Sequence, residues 1–187
     1  MKKSLITFAL LLAVTALNAQ TLIKANFQKG DQATYETVAD VKVNTPMSGG
    51  SESIKTNSKT KITVQDATAD GYVIEMITTN MKMEGSKEIA QQTGNMLNQY
   101  LSNVPMLLKT DANGKVKDLL NYTEVQTKAS KFAMTFIDSL YNANPEMEKV
   151  LPKYKMAMSM NSQFTKEAFI ESVEYNTFFQ LFGKTLK

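Results

Sequence analysis

Apolar and polar residues alternate from Ala33 to Thr45, with Ala33, Tyr35, Ala39, Val41 and Val43 on one side and Thr34, Glu36, Asp40, Lys42 and Asn44 on the other. A period of two over this length predicts a half-buried strand. The stretch Pro46 to Glu52, with Gly49 and Gly50, reads as a hairpin connection. A second strand follows over Ser53 to Gln65, setting Ile54, Ile62 and Val64 against Lys55, Lys59 and Lys61, so that its solvent face is a row of lysines. Asp66 to Gly71 forms a turn into a third strand, Tyr72 to Glu84. There both sides are apolar: Tyr72, Ile74 and Met76 oppose Val73, Ile77, Met81 and Met83, which predicts a strand covered on both faces.

The period then changes. Ile89, Thr93, Met96, Leu97, Tyr100, Leu101 and Val104 recur at helical spacing, and Pro105 ends the run. Asp111-Ala112-Asn113-Gly114 separates Met106–Thr110 from Lys115–Leu120 as the turn of a short hairpin. From Val125 to Tyr141 the apolar positions 125, 129, 132, 133, 136, 137, 140 and 141 trace a helix face, with Asn121 and Glu124, or Thr123 and Gln126, placed to cap its start. Asn144 caps a short helix that stops near Pro152. Over Lys153 to Asn161 the alternation of Tyr154, Met156, Met158 and Met160 fits a strand and a helical extension equally well. A last helix starts at Thr165, with Phe164 and Phe169 as a hydrophobic staple, and runs to Gly183. Strands first and helices mainly afterwards predict an α+β fold, a curved antiparallel meander with helices packed on one face.

The amino terminus belongs to neither pattern. Lys2 and Lys3, an apolar run from Leu5 to Leu17 and small residues at Ala16 and Ala19 make a cleavable export signal. The run is too short to span a membrane, which takes roughly 20 apolar residues. Cleavage after Ala16 fits the small-residue rule through Val14 and Ala16, while cleavage after Ala19 would leave Gln20 as the new N-terminus; we take residues 1–19 as signal peptide and 20–187 as a single α+β domain. No Cys follows the run, so no lipid anchor is expected, and the protein is expected to be exported to the periplasm or beyond with no transmembrane segment.

Without Lys2 and Lys3, the 21 basic residues fall to 19 against 18 acids, a charge near +1, and every basic residue is Lys. Without arginine's planar fork and without a basic excess, no nucleic-acid partner is expected. The chain has no Cys, His or Trp. This removes Cys-His and Ser-His-Asp chemistry, histidine relays and the usual zinc sites. Neither a cofactor nor a metal is expected, and the protein is read as non-enzymatic. A carboxylate pair assembled only in three dimensions stays open as a third reading.

Three local patterns touch on specific chemistry. Met81-Lys82-Met83 and Met156-Ala157-Met158-Ser159-Met160 present thioethers that suit Cu(I), but extracytoplasmic copper sites usually add His, so these methionines read as fillers of core gaps or an apolar pocket. Asp111 to Gly114 lacks the glycine position and final Glu of a calcium loop. Ser58-Lys59-Thr60-Lys61 has acyl-enzyme spacing but lies in a strand, and Asn121-Tyr122-Thr123 reads as a helix cap rather than a glycosylation acceptor.

Lys29-Gly30-Asp31-Gln32-Ala33-Thr34-Tyr35, Asp70-Gly71-Tyr72-Val73-Ile74, and Asn113-Gly114-Lys115-Val116 followed by Asn121-Tyr122-Thr123-Glu124-Val125 resemble the turns and caps of a family of uncharacterised exported bacterial envelope proteins. At fold level such proteins are similar to periplasmic lipoprotein carriers, which implies a curved sheet wrapped around helices and an apolar cavity. The family pattern continues past Phe178–Gly183 into further strands, so the resemblance implies a shortened form here. The reading is therefore a binding protein for a lipid or other hydrophobic small molecule, held in a groove between sheet and helices by Met76, Met81, Met83, Phe132, Phe136 and Met158. The alternative is a structural or interaction component whose envelope protein partner binds the lysine face or an open sheet edge.

Overall fold

The alternation at Ala33 is carried by a strand that pairs along its whole length with the next one. The computed structural model describes residues 21–45, 50–85, 88–175 and 178–186. The segment read as an export signal and the expected connection at residues 46–49 lie outside them. In chain order the elements are β1 (Thr21–Leu22), β2 (Gln32–Thr45), β3 (Gly50–Thr68), β4 (Gly71–Glu84), α1 (Glu88–Tyr100), β5 (Pro105–Thr110) and β6 (Val116–Leu119). They continue with α2 (Tyr122–Ala143), α3 (Met147–Val150), α4 (Lys153–Asn161), α5 (Lys166–Glu174) and β7 (Thr185–Leu186). β2 to β6 form an open five-stranded antiparallel sheet in sequence order, and β1 pairs with β7. The fold is α+β, as the change of period implies.

Register decides what each face holds. Ala33 stands opposite Ile62, Ile62 opposite Met76, and Met76 opposite Met106. This inner face carries the core: Ile74, Leu108 and Leu119 are 0% exposed and Ile62 1%. Val125 of α2, Val173 of α5 and Phe179 close over them. Each such side chain contributes roughly 1.5–3 kcal/mol through removal from water, so this patch anchors the fold. On the outer face Lys55, Lys59 and Lys61 are exposed as expected, but the register sets Glu36 opposite Lys59 and both Asp40 and Glu84 opposite Lys55. The lysine row is thus interleaved with acids and presents no strongly cationic face.

The expectation of two apolar faces along all of β4 needs correction. Lys59 pairs with Thr79 but Asn57 pairs with Lys82, so β4 carries one extra residue in a bulge. Asn80 sits there at φ 52, a left-handed conformation that Asn tolerates better than most residues. The bulge reverses the alternation. Met81 and Met83 therefore share the inner face with Met76 instead of opposing it, while Val73 and Ile77 remain on the outer face, half-buried.

β5 covers only Val73 to Ile77, and α1 takes over where it stops. The Asn98 amide accepts from the Met81 N–H at 2.9 Å and donates to the Met81 carbonyl, while the Asn103 N–H donates to the Thr78 carbonyl at 3.0 Å. One side chain does the work of a missing strand, satisfying an edge that would otherwise be open. Gly94 lets the helix approach: a Cβ there would lie 3.0 Å from the Met83 nitrogen. Asn98→Ala is expected to leave both Met81 groups without their partner and to cost about 1–3 kcal/mol. Hydrogen exchange at Met81 should accelerate well beyond exchange at Ile74.

The helices also depart in detail from their expected ends. α2 buries Val125, Ala129, Ala133, Ile137 and Tyr141 at a spacing of four. Asn121 makes no side-chain cap; its amide accepts from the Leu107 N–H and donates to the Pro105 carbonyl, tying α2 to β5. Asn144 ends α2 rather than capping α3, whose N-cap is Glu146. Residues 153–161 are helical, packed back along α2, with the Tyr141 hydroxyl donating to the Leu151 carbonyl and Lys153 paired with Asp138 at 2.5 Å. Thr165 caps α5 by accepting from Ala168, and Phe164 stacks on Phe169, so the staple is present. α5 ends at Glu174, well short of Gly183, and Phe178, Phe179 and Phe182 lie in the turns beyond it.

Candidate functional site

The six residues expected to line one groove occupy several separate places. Met76, 7% exposed, is solid core between Ile62 and Met106. Met81 and Met83 border a crevice of about 180 Å³ against Gly94 and Asn98 at the far end of β4. Phe132 and Phe136 stack on each other along α2, centroids 6.1 Å apart, and Phe136 lines a hollow of about 210 Å³ with Met96 and Gln92. Met158 is 69% exposed on α4, because residues 153–161 form a helix that bears on α2 through its other sides. The crevice beside Met81 and Met83 and the hollow beside Phe136 are separate, so the sheet methionines and the helix phenylalanines do not share them.

A larger cavity than either lies on α2, beside the end of α1. It is an open cleft of about 490 Å³ lined by Tyr100, Gln126, Thr127, Ser130, Lys131, Met134 and Thr135. Gln126, Ser130 and Met134 form one row at a spacing of four, and Thr127, Lys131 and Thr135 form a second beside it. The Thr135 hydroxyl bonds the Tyr100 hydroxyl at 3.2 Å, fixing the ring as one wall. Gln126 is held at the other end by its amide donating to the Phe164 carbonyl at 3.4 Å. Met134 is 42% exposed, an apolar floor between these polar ends, and the exposed Lys131 supplies a cation at the rim. Met134 falls off the apolar stripe of α2, but a single exposed apolar side chain is common on protein surfaces, so the sequence did not mark this site.

Among the described residues two carboxylates have shifted ionisation, and each has a structural task. Burial alone would raise the Asp111 carboxyl, but the Lys115 and Asn113 amides and the Lys117 ammonium, 3.2 Å away, outweigh it and hold it below the usual value. It organises the β5–β6 turn. Asp118 is lowered chiefly by its hydrogen bond from Lys166 at 2.9 Å, which fastens α5 to β6. Neither lies in the α2 cleft. Among the described residues no group of three or more acidic side chains converges as a metal site. No described helix is long and apolar enough to cross a membrane.

No protein-family model matches the chain, and neither a curated protein nor a solved structure matches it.

Proposed function

We propose that this is an exported, non-enzymatic binding protein that holds an amphipathic hydrophobic ligand against α2, its apolar part on Met134 and Tyr100 and an anionic head near Lys131. The observation that carries the reading is the cleft itself. Its volume falls within the roughly 300–1,000 Å³ of small-molecule sites, and five polar side chains stand around the apolar surface of Met134 and the Tyr100 ring. Because the cleft is open, it would cover one side of a ligand, which suits a chain with a polar end better than a fully enclosed lipid. The export signal and the resemblance to envelope proteins support the same setting.

The chain's lack of Trp makes the test clean. In Ser130→Trp the new indole is the sole tryptophan, and titration with a medium-chain fatty acid should quench or shift its emission saturably. Lys131→Glu in that background should weaken binding about tenfold through loss of a charge-assisted contact. A tryptophan signal that does not respond to fatty acids, detergents or lysophospholipids would remove this cleft as the site.

A further inference from the structure

We propose that β2 is a dimerisation edge at which two copies of this chain pair antiparallel about a two-fold axis through Ala39, making their sheets continuous. The inference is independent of the cleft on α2. β2 is an outermost strand with 14 residues in unbroken register on β3, and no described strand pairs with its other side. Edges of such length are normally blunted by a bulge, a proline, charged side chains or a covering element, and of these β2 has only the charges Glu36, Asp40 and Lys42. The β4 edge is covered in this way by Asn98, whereas β2 contains no Pro, no Gly and no bulge against β3. An edge in unbroken register over its whole length is a pairing surface for a strand that matches its charges.

Charge selects the occupant and the register. In a continuous sheet directly opposed residues share a face. Two symmetric arrangements therefore use nearly all of β2. A centre at Val38 would set Glu36 against Asp40 of the other copy, twice over, and like charges directly opposite are unfavourable. A centre at Ala39 sets Glu36 against Lys42 twice, and runs from Ala33 opposite Thr45 to Thr45 opposite Ala33. Glu36, Asp40 and Lys42 are all exposed on the outer face, and Val38, 69% exposed, then stands opposite Asp40 of the other copy, so that no like charges face each other. The partner that fits this edge is β2 itself.

Because the chain has no cysteine, single thiols report the register directly. Opposed residues of an antiparallel pair have Cα atoms about 4.5–5.5 Å apart, within disulfide reach, whereas residues two places from the axis lie about 14 Å from their own counterparts. In the full exported protein, Ala39→Cys should form a disulfide-linked dimer on mild oxidation and Thr37→Cys should not. In sedimentation the unmodified protein should be a dimer. Glu36→Lys and Lys42→Glu should each associate about tenfold more weakly, while an equimolar mixture of the two regains the dimer because each copy then presents the complement of the other. A monomer throughout, or crosslinking of Thr37→Cys as strong as that of Ala39→Cys, would overturn the proposal. Should a charge variant fail to fold, the two cysteine variants decide alone.

Discussion

Gly71→Ala is expected to destabilise the protein by more than about 3 kcal/mol, read as a lower urea midpoint with an unchanged slope. Gly71 opens β4 at φ 142, a conformation almost reserved for glycine, and a Cβ there would sit 2.1 Å from the Thr110 carbonyl oxygen and 2.8 Å from the Asp111 carbonyl carbon. Both obstacles are backbone, so no rotamer change relieves them. The neighbouring Tyr72 N–H also bonds the Thr110 hydroxyl at 3.3 Å, so a shift here loosens β4 from β5 beside the core. Gly30→Ala separates strain from collision. Gly30 has φ 92 but nothing within 4 Å of an added Cβ, so only the conformational penalty of about 1–2 kcal/mol should appear. Equal effects at the two positions would mean that the approach of β4 to the Thr110 turn is not as described.

Leu108→Ala should cost about 3 kcal/mol, within the 2–5 kcal/mol range of large-to-small core changes. Leu108 is fully buried between Ile74 and Leu119 in register, with helix and turn residues over it, so the surroundings cannot collapse into the space without moving two strands. Met158→Ala should change stability by no more than about 0.5 kcal/mol, since that side chain is largely in water. The pair tests the assignment of core against surface for two residues that hydropathy alone treats alike. A large loss at Met158 would show that α4 packs elsewhere than along α2.

The strands were legible because register and burial both follow from a period of two, and β2 and β3 obey it throughout their described pairing. What escaped was non-local. The bulge at Asn80 reverses the alternation of β4, yet an Asn between Thr79 and Met81 has no signature that distinguishes it from a solvent-facing strand residue. Asn121 has the composition of a cap, and only the position of β5 diverts its amide to Leu107 and Pro105. The methionine run at 156–160 satisfies both periods, and the neighbouring α2, through Tyr141 and Asp138, decides for a helix. The expected groove drew together residues of similar chemistry, but shared chemistry does not imply shared location. Met76 went to the core, Met158 to the surface, and the cleft formed from a face of α2 with too few apolar residues to attract notice.

The most direct test of the binding reading is to purify the exported protein without detergent, extract it with organic solvent and identify small molecules by mass spectrometry, alongside Met134→Lys. The account predicts a hydrophobic molecule with an anionic head at a fixed molar ratio, lost from Met134→Lys while its unfolding midpoint stays near that of the parent. A parent protein that yields no small molecule, or a molecule retained equally by Met134→Lys, would contradict a ligand site on α2.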